Sequence, residues 1–386
     1  MKGAKIMSKA PTNSIKFYPV GNGDTSLLTL SENQHILIDC KIDNDASTNK
    51  DKFDIKEDLN SLLPKNGDGR SHLDVFILTH PDNDHCAGFK DNFFCDDPAN
   101  YDQNAKDRKA IIIDELWFSN TLFDRFKDPL SEAAKNFKAE AKRRKDLFKK
   151  DPEKGKLAGN RIVLIDFKDD CKDDGLDSLI LEPGTSTNVF NTKTKSDFSI
   201  FVHGPFKTPT PDSQDRNETS VIMQIRFGSS VDPMQALAFL AGDADYNRFK
   251  RLLDERDDES IQWDLLLSPH HCSWTFFNMT PQAEYPDPQE SAIEYLKRQR
   301  GSGIVVASCK EILNNDDNPP HYQAKKEYLK EIEEDDFYST ADESLVPLVF
   351  EATKNGFVKF KTTLTDSKRT AINSVTESPK TYGSIL

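Results

Sequence analysis

One stretch restricts the possible folds of this chain more than any other: FILTHPDNDHCAG, from Phe76 to Gly88. It opens on an apolar run with β-branched members, too short for a helix, which reads as a buried strand. His80, Asp82, Asp84 and His85 follow at once, four ionisable side chains within six positions. Such groups at the mouth of a buried strand are costly to desolvate unless something pairs with them. Residues two apart in an extended or tightly turned loop project to a common side. His80, Asp82 and Asp84 can therefore converge while His85 takes a neighbouring direction. A polar turn with a capping aspartate explains one such residue; four together point to bound cations.

The arrangement recurs along the chain. Gly242-Asp243 follows ALAFLA, Pro269-His270-His271 follows WDLLLS, and Pro319-Pro320-His321 lies beyond IVVASC. Five of the eight histidines fall in these loops. The expected metal ligands are His80, Asp82, Asp84 and His85, with Asp243 as the carboxylate bridging two cations. A helix N-cap is the competing reading of Asp243. One of His270 and His271 completes the second position, with a slight preference for His270; the other supports a ligand or touches substrate. Asp84 either ligates or acts mainly as the catalytic group that orients the attacking water. Asp39, closing HILIDC, either hydrogen-bonds the ligand loop from behind or is a plain turn residue. Cys86 and Cys272 flank ligands and read as space-filling, although thiolates bind zinc well. A carboxylate-rich set favours Mn²⁺ or Mg²⁺, with Zn²⁺ as the alternative. Two divalent ions about 3.5–4 Å apart suit displacement at phosphorus, one activating water and both neutralising oxygen charge.

Around these loops the chain alternates strand-like and helix-like stretches, which predicts an α/β sandwich whose loops at one sheet edge carry the site. One domain is expected over 14–365, with a partly helical insertion at about 91–158 and a polar tail at 366–386. LVPLVFEA and GFVKFKTTL read as a closing hairpin. Within the insertion, Ser131–Lys156 favours helix and carries a run of Lys and Arg. Lys142, Arg143 and Arg144 of that run either follow a nucleic-acid backbone or form a solvated helix face, while Phe137 and Phe148 dock the helix on the core. His35, His72 and His203 read as structural or surface histidines. The net charge of −14, from 51 Lys and Arg against 65 Asp and Glu, argues against a general nucleic-acid coat protein but not against a local basic track. Six cysteines without a CxxC pair suit reduced thiols in a cytoplasm. No apolar run approaches the ~20 residues of a membrane span, and the first residues lack the apolar core of a secretory signal.

With these motifs in this order, the sequence resembles the metallo-β-lactamase fold superfamily. Within it, the nearest likeness is to the hydrolase domain of ComEC, the DNA-uptake channel protein, and to its soluble stand-alone relatives. VGNGDTSLLTL followed by HILIDC resembles the family's opening Gly-rich hairpin and its strand ending in aspartate. THPDNDHCAG resembles the second motif, with Asp82 where the wider superfamily has a second histidine. NETSVIMQIRFG resembles the Asn-x-x-Ser strand that replaces the usual third histidine motif. FLAGDAD and LLLSPHHCS resemble the bridging-aspartate and final-histidine motifs. Three departures stand out: Cys272 replaces the glycine after the paired histidines, Cys40-Lys41 displaces the glycine after Asp39, and the late His-Pro order is inverted to Pro320-His321.

The resemblance implies an αββα sandwich of metallo-β-lactamase type with a helical basic insertion. It implies a cytoplasmic phosphodiesterase with two divalent ions, above all a nuclease on DNA or RNA, in which hydroxide held by the ions attacks phosphorus. On that likeness Asn217 and Ser220 shape a phosphate pocket; otherwise they are ordinary turn and strand residues. His321 serves as ligand, substrate contact or catalytic general acid. Stand-alone relatives suggest a protein partner from a multi-gene system, antiphage defence included. Two other readings remain: a hydrolase of a small phosphodiester, such as a cyclic nucleotide or phosphocholine-type ester, and a sensor or scaffold subunit with a degenerate site.

Overall fold

The structure, a computed structural model, describes residues 13–119, 129–169, 175–207, 219–229, 231–342, 345–364 and 371–373. It is a mixed α/β protein built on two large sheets. The first has nine strands in the order Gly356–Phe360, Leu348–Thr353, Ser14–Phe17, Ser26–Thr29, His35–Ile38, His72–Ile77, Ile112–Phe118, Arg161–Ile165, Ile180–Leu181. Neighbours are antiparallel up to His35–Ile38 and parallel beyond it. The second sheet has seven: Phe337–Ser339, Gln299–Ala307, Trp263–Leu267, Ala236–Leu240, Met223–Phe227, Phe198–Val202, Thr185–Thr187. There the first four strands run parallel and the rest antiparallel.

Strand periodicity explains the layering. Alternate side chains point to opposite faces, and both faces here are apolar. Ile36, Ile38, Val75 and Ile77 of the first sheet share one buried core with Ala238, Leu240, Leu265 and Leu267 of the second. The intervening Leu37 and Phe76 face outward, into a core with Leu59, Phe89, Phe93, Phe137 and Phe148 from the helices on that side. Phe239, Leu266 and Val305 likewise meet Phe249, Leu252, Tyr295 and Tyr328 from helices on the opposite side. Each such residue contributes about 1.5–3 kcal/mol on burial.

The long basic helix Glu132–Lys150 starts at Ser131, whose hydroxyl accepts the Ala134 N–H. Its buried stripe, Ala134, Phe137, Ala141, Arg144 and Phe148, has helical spacing and lies against the first sheet. The closing hairpin joins that same sheet through Leu348–Thr353, paired with Ser14–Phe17. Among the described residues no helix is long and apolar enough to cross a membrane.

The strand that carries IVVA begins at Gln299, paired with Trp263. The guanidinium of Arg300 grips the Asp264 carboxylate and the Met234 carbonyl (2.7 Å), which fixes backbone that turn-forming residues would otherwise leave loose.

Candidate metal centre

Parallel strands deliver their C-terminal ends to one edge, and ligands characteristically bind outside that edge. Asp39 follows His35–Ile38, the loop 80–85 follows His72–Ile77, and Gly242-Asp243 follows Ala236–Leu240. His270 and His271 follow Trp263–Leu267, and Ser308 follows Gln299–Ala307. The turns are tightly constrained. Gly242 has φ +51°, and a Cβ there would lie 2.8 Å from Thr79 Oγ1 and 3.3 Å from His80 Nδ1. His270, His271 and Cys272 all have positive φ, 49°, 53° and 65°, a conformation costing about 1–3 kcal/mol per non-glycine residue. The His270 N–H to the Gly242 carbonyl (3.1 Å) and the His321 N–H to the Cys272 carbonyl (2.9 Å) hold this turn in place.

The result is a convergence on Asp243. Its Oδ1 lies 3.1 Å from His85 Nε2 and 3.5 Å from His271 Nε2. Its Oδ2 lies 3.4 Å from His80 Nε2 and 3.6 Å from His270 Nε2. Asp84 Oδ2 approaches His271 Nε2 at 3.2 Å, and Asp82 Oδ2 approaches His80 Nε2 at 3.9 Å. Asp243, His80, His85 and His271 are buried, whereas the Asp84 and Asp82 side chains are 35% and 31% exposed and His270 23%. The centre therefore opens to solvent on the side of Asp82, Asp84 and His270.

The opposite ring nitrogens are held by hydrogen bonds behind the cluster. His85 Nδ1 lies 2.8 Å from Asp39 Oδ2. His80 Nδ1 lies 3.1 Å from the Thr79 hydroxyl, which itself donates to Asp39 Oδ2 at 2.6 Å. His270 Nδ1 lies 3.1 Å from the Thr275 hydroxyl, which donates to Ser273 Oγ. His271 Nδ1 lies 3.1 Å from the Ser308 carbonyl. The Nδ1 atoms of His80, His85 and His270 each have an acceptor for a proton, so their Nε2 atoms can present a lone pair, the tautomer a metal needs; His271 Nδ1 faces both an acceptor, the Ser308 carbonyl, and a donor, the Gly23 N–H at 3.2 Å. Asp39 thus hydrogen-bonds the ligand loop from behind, gripping His85, the Thr79 hydroxyl and the Thr79 N–H (2.7 Å).

Electrostatics agree. Among the described residues, His80 Nε2 and Asp243 Oδ1 are buried without a hydrogen bond, unusual for atoms so polar. Burial works against ionising the Asp243 carboxyl, but His271, His85 and His80 hold it well below the usual carboxylate range. Burial likewise opposes charging His271, yet Asp243, Asp24 and Asp84 raise it to about 10, and Asp243 and Asp39 raise His85 well above its ordinary value. His270 stays below the usual value because burial dominates. Negative charge drawn around converging imidazoles favours any cation, proton or metal. Asp24, His85, Asp243 and His271 form a compact buried group, their donor atoms within 4.8 Å of one another, that can hold a metal ion. The donor chemistry fits.

Several expectations shift. The compact group includes His271 and not His270, the reverse of the slight preference, because the left-handed turn sends His271 inward beneath Ser308 and His270 toward the open side. Asp24 was legible only as part of the Gly-Asn-Gly-Asp turn, yet it lies 3.6 Å from His271 Nδ1 and 4.0 Å from His85 Nδ1. Gly23 permits this approach: a Cβ there would sit 2.7 Å from the Asp84 carbonyl. His321 is tied to the Cys272 carbonyl and lies 5.7 Å from the Trp274 ring centre; its buried Nδ1 has no hydrogen-bond partner among the described residues. Ser220 is buried, and its hydroxyl has no partner among the described residues; the adjacent Val221 N–H bonds the Thr79 carbonyl at 3.0 Å. Asn217 lies outside the described residues.

The expected basic track is also corrected. Arg144 is buried, bonded to Glu140 (2.7 Å) and to the carbonyls of Ile113 and Arg161. Arg143 binds Glu140 through two nitrogens and reaches Asn160. Both arginines secure the helix to the sheet, because a buried carboxylate such as Glu140 needs compensating charge. Only Lys142 points outward, paired with Asp146 one turn along. Cys86 and Cys272 are buried, with thiols raised chiefly by desolvation, as space-filling residues would be.

No family model matches this chain, and no curated protein matches its sequence.

Proposed function

We propose that this chain is a metal-dependent phosphodiester hydrolase of metallo-β-lactamase type, related to the ComEC-like branch, and that it acts as a nuclease. One observation carries the reading: Asp243 turns one carboxylate oxygen toward His85 and His271 and the other toward His80 and His270. That arrangement would suit two divalent ions: His85, His271 and Asp84, with Asp24 beside them, would hold one, and His80, His270 and Asp82 would hold the other, with Asp243 shared. Four imidazoles in that set move it toward zinc and away from magnesium. The motif order and the two face-packed sheets with outer helices support the family reading.

When bound, such ions lower the pKa of a water toward ~7 and neutralise charge on phosphate oxygens. The chain's own residues do the rest. Asp84 stays anionic, since His271 and His85 hold its carboxyl low against burial, and from the open side it orients the attacking water. Asp39 and Thr79 fix the rings of His85 and His80. Neutral His270 stands at the mouth, where substrate enters.

The test is incubation of the purified protein with single- and double-stranded DNA and with RNA in Mn²⁺, Zn²⁺ or Mg²⁺. Cleavage by wild type, lost in Asp84→Ala and His85→Ala, supports the reading; no cleavage with any metal overturns it. The commitment of Arg143 and Arg144 to Glu140 removes one argument for a long nucleic acid and favours, as second reading, a small phosphodiester. Cleavage of cyclic nucleotides or bis(p-nitrophenyl) phosphate but not of DNA or RNA would select it.

A further inference from the structure

The Asn22-Gly23-Asp24 turn has two sides. Through Asp24 and the Gly23 N–H, which lies 3.2 Å from His271 Nδ1, it faces the metal centre. Next to it lies a cavity of about 330 Å³ whose walls include Gly21, Lys41, Lys52, Phe53 and Lys310. The turn is thin. A Cβ placed on Gly23 would meet Lys41 Cδ at 2.5 Å and Asp84 Cβ at 3.2 Å, so Lys41 and Asp84 flank one glycine. Lys310 is locked to the same turn, its N–H bonded to Asn22 Oδ1 at 3.0 Å.

Three lysines, Lys41, Lys52 and Lys310, are among the residues lining this cavity, against two aspartates, Asp43 and Asp51. Lys52 is shared between Asp43 (3.2 Å) and Asp45 (2.8 Å). Lys310 pairs with Asp317 at 3.0 Å, both about half exposed, a contact of the kind that exchanges at little cost. Lys41 has no carboxylate partner among the described residues; its ammonium bonds the Asn22 carbonyl. An uncompensated, half-buried cation at the wall of a cavity, one glycine away from the candidate catalytic aspartate, is placed to meet a second anion of the substrate.

Resting on the phosphodiesterase reading above, we propose that the cavity bounded by Lys41, Lys52 and Lys310 is a phosphate subsite. It takes a backbone phosphate neighbouring the one cleaved, which makes the substrate a nucleic-acid strand rather than an isolated ester. Lys41 and Lys310 supply charge-assisted bonds to the phosphate, and the Asn22-Gly23-Asp24 turn sets the spacing between the two anions.

The experiment measures binding of a short fluorescein-labelled single-stranded DNA to metal-free full-length protein by anisotropy across a salt series. It also measures the ratio of kcat/KM on that DNA to kcat/KM on bis(p-nitrophenyl) phosphate in the metal-loaded protein. Lys41→Gln is expected to weaken DNA binding about tenfold and to flatten the log–log salt slope by about 0.7, the loss of one phosphate contact to a single strand. Lys310→Gln is expected to act in the same direction, Lys41→Arg to retain affinity, and the DNA-to-ester ratio to fall in both glutamine variants. Wild-type affinity and slope in both variants, or no DNA binding by wild type, overturns the subsite. If binding falls as expected while wild type hydrolyses nothing, the subsite stands and the hydrolase reading fails. If wild type cleaves DNA and both variants bind and cleave it equally well, the hydrolase reading stands and the subsite fails.

Discussion

The Nε2 atoms of His85 and His271 face each other across 3.3 Å, with Asp243 Oδ1 3.1 Å from the first and 3.5 Å from the second. Two imidazole lone pairs so close repel unless a cation lies between them. Dialysis against Mn²⁺ or Zn²⁺ followed by elemental analysis is expected to find two ions per wild-type chain, one in His85→Ala, and fewer than one in Asp243→Ala. Full occupancy in Asp243→Ala would contradict the shared-carboxylate arrangement.

Asp39 touches no ion in this arrangement, yet it orients His85 and Thr79 together. Replacing it with Asn keeps the shape but removes a charge-assisted acceptor. Loss of such a supporting contact typically lowers metal affinity about 10–100-fold. Titration with a competing chelator is the measurement; unchanged affinity would show that the His85 ring is held without it.

Metal-free protein has a defined pH response. His271 is raised to about 10, above the unfolded value of about 6.5, and His85 is raised in the same direction. A raised folded pKa contributes stability fully present below about pH 6.5 and lost as pH climbs through about 10. The Tm of chelator-treated protein is expected to fall between pH 7 and pH 10. Metal-loaded protein, in which the imidazoles are already neutral, is expected to show a smaller decline. A flat Tm for the chelator-treated protein over that range would contradict the prediction.

Gly242→Ala is expected to lose about 1–3 kcal/mol from the positive φ and to displace the Thr79 hydroxyl, which a Cβ would meet at 2.8 Å. Denaturant unfolding measures the first effect and chelator competition the second. A variant with wild-type stability and metal affinity would show that the turn relaxes freely.

Arg144→Ala leaves Glu140 buried with only Arg143 for compensation. Breaking a buried pair in this way costs about 3–5 kcal/mol, and urea unfolding is expected to show a loss of that order. Lys142→Gln, at an exposed position, is expected to leave stability within about 0.5 kcal/mol of wild type. Stability lost at Lys142 rather than at Arg144 would reverse the roles assigned along this helix.

Most of this architecture is written locally. The run ending at Leu78, the apolar run WDLLLS and the helix within Ser131–Lys156 all declare themselves locally, because strand and helix formation depend on side-chain patterns a few residues long. The converging residues His80, Asp82, Asp84, His85, Asp243, His270 and His271 were visible for the same reason, as polar clusters breaking strictly apolar strands. Asp24 was not visible, since Gly-Asn-Gly-Asp between two strands is already explained by a tight turn. Arg143 and Arg144 misled because a run of basic residues carries no record of the buried Glu140 three and four residues away on the helix face.

By itself, then, the order of residues determined the strands, the helices and the kinds of donor atom at their ends. The tertiary structure decided which nitrogen of His80, His85 and His270 faces the cluster, which histidine of the adjacent pair enters the compact group, and that Asp243 stands between the two pairs. Those outcomes depend on parallel strands from two sheets ending at one edge, and on three consecutive residues held at positive φ. Contacts between residues 24, 39, 85, 243 and 271 are set by packing across the whole domain, and no short window of sequence contains them.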